Sequence, residues 1–119
     1  PEVVPGEGLP SLKSLGLTSK DLYNMKPEFF NSSIETRSKH FDNSCNPYST
    51  GNFDDAIACY NYLVRIGHWS CLVTPTGRSK FCVSGDAAIQ GYNFRSDGNS
   101  VSSPCSYVAL AAQWVLTHC

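Results

Sequence analysis

The chain has 119 residues, 16% of them charged and 12% aromatic, with nine Lys or Arg against ten Asp or Glu. That length suits one hydrophobic core and not two, and the apolar content is enough to offset the ordering entropy of a folded domain. The balanced charge, with no basic run, lacks the electrostatic footprint of a nucleic-acid binder; the longest apolar stretch, Val108 to Leu116, is about half of what a bilayer crossing needs, so no membrane span is expected.

Residues 1–44 hold no cysteine and read as an N-terminal arm preceding a domain at 45–119. The chain starts at Pro1 with no apolar leader, which fits a processed secreted product or a trimmed chain. The arm carries one short helical signal, with Thr18 or Ser19 as N-cap and Pro27 as the stop. Its scattered Leu12, Leu15, Leu17, Leu22, Phe29 and Phe30 suit an arm lying along the body of the domain, or one partly free of it. Asn31-Ser32-Ser33 is a glycosylation sequon, with Asn31 as the acceptor, and agrees with secretion.

The six cysteines, Cys45, Cys59, Cys71, Cys82, Cys105 and Cys119, are widely spaced and form no C-x-x-C pair. Zinc sites show close Cys/His pairs, so the pattern predicts three disulfides in an oxidising, extracellular setting and no metal.

An amphipathic helix begins after Asn52 as N-cap, with Asp54 and Asp55 in the first turn, where the helix dipole favours carboxylates, and ends at Gly67. Phe53, Ala56, Ile57, Tyr60, Leu63 and Val64 form the expected buried stripe; Asp54, Ala58, Asn61 and Arg65 form the wet one, with Tyr62 toward it. Runs at 69–74 and 79–84 flank Pro75-Thr76-Gly77-Arg78 and read as a hairpin. With Thr76 and Gly77 as loop residues, Cys71 and Cys82 stand opposite each other, close enough to bond. Ala87 to Phe94 follows as a third strand, and Arg95 to Ser103 as a polar loop.

The last helix is expected to start with Ser103 as N-cap and Pro104 at its first position, with Cys105, Val108, Ala112, Val115 and Cys119 on one face. Its length would hold Cys105 and Cys119 about 20 Å apart, so they cannot bond to each other. With Cys71 paired to Cys82, two sets remain: Cys45–Cys105 with Cys59–Cys119, or Cys45–Cys119 with Cys59–Cys105.

Three segments together resemble a known family: Ser79-Lys80-Phe81-Cys82-Val83-Ser84-Gly85-Asp86-Ala87-Ala88-Ile89-Gln90-Gly91-Tyr92, Ser102-Ser103-Pro104-Cys105, and Trp114-Val115-Leu116-Thr117-His118-Cys119. The order of cysteine-led strand, small-residue turn, Ile-x-x-Tyr strand and cysteine-bounded helix is similar to the killer toxins of smut fungi and the killer-toxin-like proteins of filamentous fungi. The resemblance covers about residues 59–119. It implies an α+β fold, a small antiparallel sheet with two helices packed on one face, and the pairing Cys59–Cys105, Cys45–Cys119 and Cys71–Cys82. It also implies, as one function, action on membranes or calcium channels. Residues Ser14 to Tyr23 look like small secreted effectors of plant-pathogenic ascomycetes.

No catalytic or metal motif involves His40, His68 or His118, and neither a nucleophile elbow nor a phosphate loop is present, so no enzyme activity and no cofactor are expected. His118 fits a helix C-terminus, Asp54 and Asp55 fit capping charge, and Asp86 fits a turn. Trp69 and Trp114 are expected in the core. A small disulfide-rigid scaffold suits binding, because preorganisation lowers its entropic cost. The expected function is that of a secreted, monomeric fungal virulence effector that binds and inhibits a host extracellular protein, a papain-like cysteine protease being the specific expectation. Candidate contact residues are Arg78 in the 75–78 loop, Arg95 in the 95–102 loop, and Tyr62.

Overall fold

The computed structural model describes residues 2–29, 53–73, 78–92 and 98–118, with Arg78 and Tyr92 by backbone alone. Asn31, Cys45, Asn52, Arg95 and Cys119 lie outside the described residues. The elements run β1 (Val3–Pro5), a 3-10 turn (Lys13–Leu15), α1 (Ser19–Asn24), α2 (Phe53–Arg65), β2 (Ser70–Val73), β3 (Arg78–Ser84), β4 (Ala87–Tyr92), β5 (Val101–Pro104) and α3 (Cys105–His118).

The strands form two antiparallel sheets, β1-β3-β4 and β2-β5, so the fold is a small disulfide-stabilised α+β domain. β3 and β4 are joined by a tight turn at Gly85-Asp86, with Ser84 opposite Ala87 and Val83 opposite Ala88. Helix α2 packs on β3 and β4, α3 lies against α2, and α3 also touches the β2-β5 ribbon. Tyr60, Tyr62, Leu63 and Ile66 of α2 and its following turn are fully buried, with Leu22, Cys82 and Cys105. Complete burial of a large apolar side chain contributes about 1.5–3 kcal/mol each, so α2 is the centre of the core.

The expected hairpin between 69 and 84 does not form. A strand has two edges, and β3 gives one to β1, with Val3 opposite Ser84, and the other to β4. The β1 edge is occupied over 81–84, where the hairpin register would have put residues 69–72, and β2 pairs with β5 instead, Cys71 opposite Ser103. Two of the expected disulfides are corrected accordingly: Cys59 bonds to Cys82, and Cys71 to Cys105. Neither Cys71–Cys82 nor a bond from Cys59 to a cysteine of the last helix is present. Each observed bond ties a helix to a strand, α2 to β3 and α3 to β2, rather than one helix to the other.

Parts of the segment read as an arm pack into the body. Val3–Pro5 completes one sheet, and Leu22 of α1 is fully buried. Thr18 caps α1 in a reciprocal box: its side chain accepts from the Asp21 N–H and its own N–H donates to Asp21, satisfying two otherwise unpaired donors. The polar run expected as a loop from 95 to 103 contains β5, and Ser103 and Pro104 are strand residues, with the helix starting at Cys105.

Candidate functional site

Register and one close approach bring the ends of the β2-β5 and β3-β4 strand pairs together. Val73 at the end of β2 stands opposite Val101 at the start of β5, and Arg78 at the start of β3 stands opposite Tyr92 at the end of β4. Only residues 74–77 join Val73 to Arg78, a span of at most about 18 Å. A direct contact fixes the two ends more closely: a Cβ on Gly91 would lie 2.7 Å from Val73 Cγ2, so β4 ends against β2. The chain leaves this end at 74 and at 93, and the intervening segments 74–77 and 93–97 lie outside the described residues. Arg78 is therefore the first residue of β3, not part of a hairpin tip, while Arg95 falls among the undescribed positions.

The base of this end is cross-linked twice. Cys71 lies two residues below Val73 and is bonded to Cys105, and Cys82 lies four residues beyond Arg78 and is bonded to Cys59. On the outer face of the ribbon, Leu72 is 50% exposed opposite exposed Ser102. This end thus combines an exposed aliphatic side chain with strand ends held near two disulfides.

Tyr62 is not part of that surface. It is fully buried, and its hydroxyl donates to the Pro10 carbonyl at 2.6 Å. Burial pushes its pKa up to about 12. The expected wet stripe of α2 is covered for the same reason. Ala58 and Asn61 are buried under residues 9–25, and the Asn61 amide donates to the Leu22 and Met25 carbonyls at 3.0 and 3.2 Å. Asp54 and Arg65 are exposed as expected, whereas Phe53, expected inside, is largely exposed. A single helical wheel finds one buried face, and α2 has two.

Asp55 is more than a capping charge. It is buried, and its carboxylate accepts from the Tyr23 hydroxyl at 2.6 Å and from the Asp86 N–H at 3.1 Å. The Tyr23 oxygen also meets the hydroxyl of fully buried Ser84. Since the phenol proton is given to the carboxylate, Ser84 donates to Tyr23 in turn. The Tyr23 hydrogen bond, followed by the Asp86 N–H, holds the Asp55 carboxyl below its ordinary 3.8. Burial, then the bond to Asp55, raises Tyr23 above 10. Gly85 makes this possible: its φ is +52°, and a Cβ there would sit 2.3 Å from Asp55 Oδ2. The turn at 85–86 is legible in sequence, but nothing local links Tyr23 to Asp55. With Ser84 fully buried, the chain of hydroxyls is a clamp joining α1, α2 and the β3-β4 turn.

The remaining expectations divide. Trp69 is 40% exposed rather than in the core, and Trp114 is partly buried. Trp114 stacks on exposed His118 with ring centroids 4.6 Å apart, and His118 Nδ1 lies 2.8 Å from the Trp114 carbonyl oxygen. His118 therefore helps close the last turn of α3. Among the described residues no group of His, Cys, Asp and Glu could hold a metal ion, and no helix is long and apolar enough to cross a membrane.

These features define a disulfide-braced α+β domain. Residues 40–119, two thirds of the chain, match the model of a family described as a domain of unknown function, DUF8794, and the chain belongs to that family. Comparison with curated proteins and with solved structures gave no match.

Proposed function

We propose that this protein is a secreted binding protein whose loop-bearing end engages a host extracellular protein. The observation that carries the reading is the convergence of the Val73–Val101 and Arg78–Tyr92 strand ends above two disulfides. A floor held in this way limits the entropy lost when loops order against a partner. The effector-like look of residues 14–23 supports a fungal virulence role, and a plant papain-like cysteine protease is the specific target we propose; the killer-toxin resemblance favours the alternative, action on membranes or calcium channels. Arg78, the first residue of β3, and Arg95, by residue type, are suited to paired hydrogen bonds with a partner. The test is capture from host extracellular fluid, together with inhibition of a panel of plant cysteine proteases, by wild type and by the Arg78→Ala, Arg95→Ala double variant. Binding or inhibition lost in the double variant at unchanged thermal stability supports the reading. Binding equal in both proteins removes the loops from it, and channel or membrane activity without capture overturns it.

A further inference from the structure

Three consecutive side chains of α2 reach the main chain of the N-terminal segment. Tyr60 donates to the Glu28 carbonyl at 2.8 Å, Asn61 to the Leu22 and Met25 carbonyls, and Tyr62 to the Pro10 carbonyl. On the segment's other side, β3 pairs with β1, extended by the Gly6 N–H donating to the Phe81 carbonyl at 2.8 Å. Recognition of this kind reads backbone shape through carbonyls and a strand edge, as peptide-binding domains do by strand addition. The segment supplies two apolar anchors, Val3 and fully buried Leu22.

Two further facts set the segment apart from what it fills. No cysteine lies in residues 1–44, so no disulfide joins the segment to the body. The family match begins at residue 40, so acceptor and occupant lie on opposite sides of that boundary. We propose that the surface between the β3 edge and the Tyr60, Asn61 and Tyr62 side chains of α2 is a peptide-binding site of the family domain, filled in this chain by residues 2–29 as a tethered ligand. The ligand class is a short extended strand followed by a turn and a brief helix bearing a Leu-Tyr pair, here Leu22 and Tyr23. A second copy of the same segment meets that description and is the occupant expected in exchange.

The test uses the full chain with a protease site inserted between residues 36 and 37 and its disulfides intact. After cleavage, both pieces should run together in native mass spectrometry, and excess isotope-labelled peptide 2–29 should replace the bound fragment. A labelled peptide with Gly6→Ala should not enter, because its Cβ would lie 1.9 Å from the Lys80 carbonyl oxygen. Tyr62→Phe in the body should weaken uptake about fivefold, the worth of one hydrogen bond. Failure of the labelled peptide to exchange over days, or unfolding of the body once the fragment leaves, overturns the proposal, since the segment would then be part of the core. Native-state hydrogen exchange on the uncut chain gives a second readout. The amides of Gly6, Leu22 and Met25 should open together while α2 stays protected, and opening only with global unfolding also overturns the proposal.

Discussion

The phenol of Tyr23 donates a 2.6 Å hydrogen bond to the carboxylate of Asp55, a residue 32 positions further along the chain. This bond fastens α1 to the start of α2, and Ser84 and Asp86 connect it to the β3-β4 turn. A carboxylate that folding holds below its ordinary 3.8 stabilises the protein above the unfolded-state value. That stabilisation is lost as pH falls from about 4 through the lowered folded value. Asp55→Asn should therefore lower the melting temperature at pH 6 and flatten the acid limb of the stability profile, and Tyr23→Phe should do the same to a smaller degree. Calorimetric melting between pH 2 and pH 7 measures both; an acid limb unchanged in Asp55→Asn would assign acid sensitivity to other carboxylates.

The alkaline limb belongs to the buried phenols. Burial raises Tyr60, with the Glu28 charge adding to it, and Tyr62 to about 12 each. A raised folded value means stabilisation that is complete below pH 10 and lost between about 10 and 12, as the unfolded chain ionises first. Tyr62→Phe should remove part of that loss and cost about 1 kcal/mol at neutral pH, for one buried hydrogen bond. Denaturant titrations at pH 7 and at pH 11 make the comparison; a variant with the same alkaline slope as wild type would show that Tyr62 does not contribute.

Gly85→Ala should destabilise by about 1–3 kcal/mol, the range for a non-glycine residue held in a left-handed conformation. The new Cβ would in addition displace the Asp55 carboxylate. Chemical denaturation would show the loss, and Asp86→Ala, which keeps the backbone donor to Asp55, should be much milder.

Non-reduced peptide mapping should link Cys59 to Cys82 and Cys71 to Cys105. Of six cysteines two then remain, and Cys45 should be found joined to Cys119. Replacing Cys59 and Cys82 together by Ala should cost about 3–4 kcal/mol by loop-closure entropy. A peptide joining Cys71 to Cys82 would restore the hairpin register and refute the observed pairing.

Features that depend on near neighbours are legible along the chain. The apolar spacing over 53–66 and 105–116 specifies α2 and α3 to within a residue or two, since a 3.6-residue period is a local property. The Gly85-Asp86 turn and the β3 and β4 runs are legible for the same reason, and the even, widely spaced cysteines announce disulfides. Which strand edge meets which could be decided only by the tertiary structure. Val3–Pro5 carries no strand signal of its own, yet by taking the free edge of β3 it excludes β2, sends β2 to β5, and so sets both cysteine pairs. The second covered face of α2 has the same origin. Tyr62 and Asn61 read as wet on a helical wheel because the wheel cannot see the N-terminal segment, whose Pro10, Leu22 and Met25 carbonyls accept the hydrogen bonds that make their burial affordable.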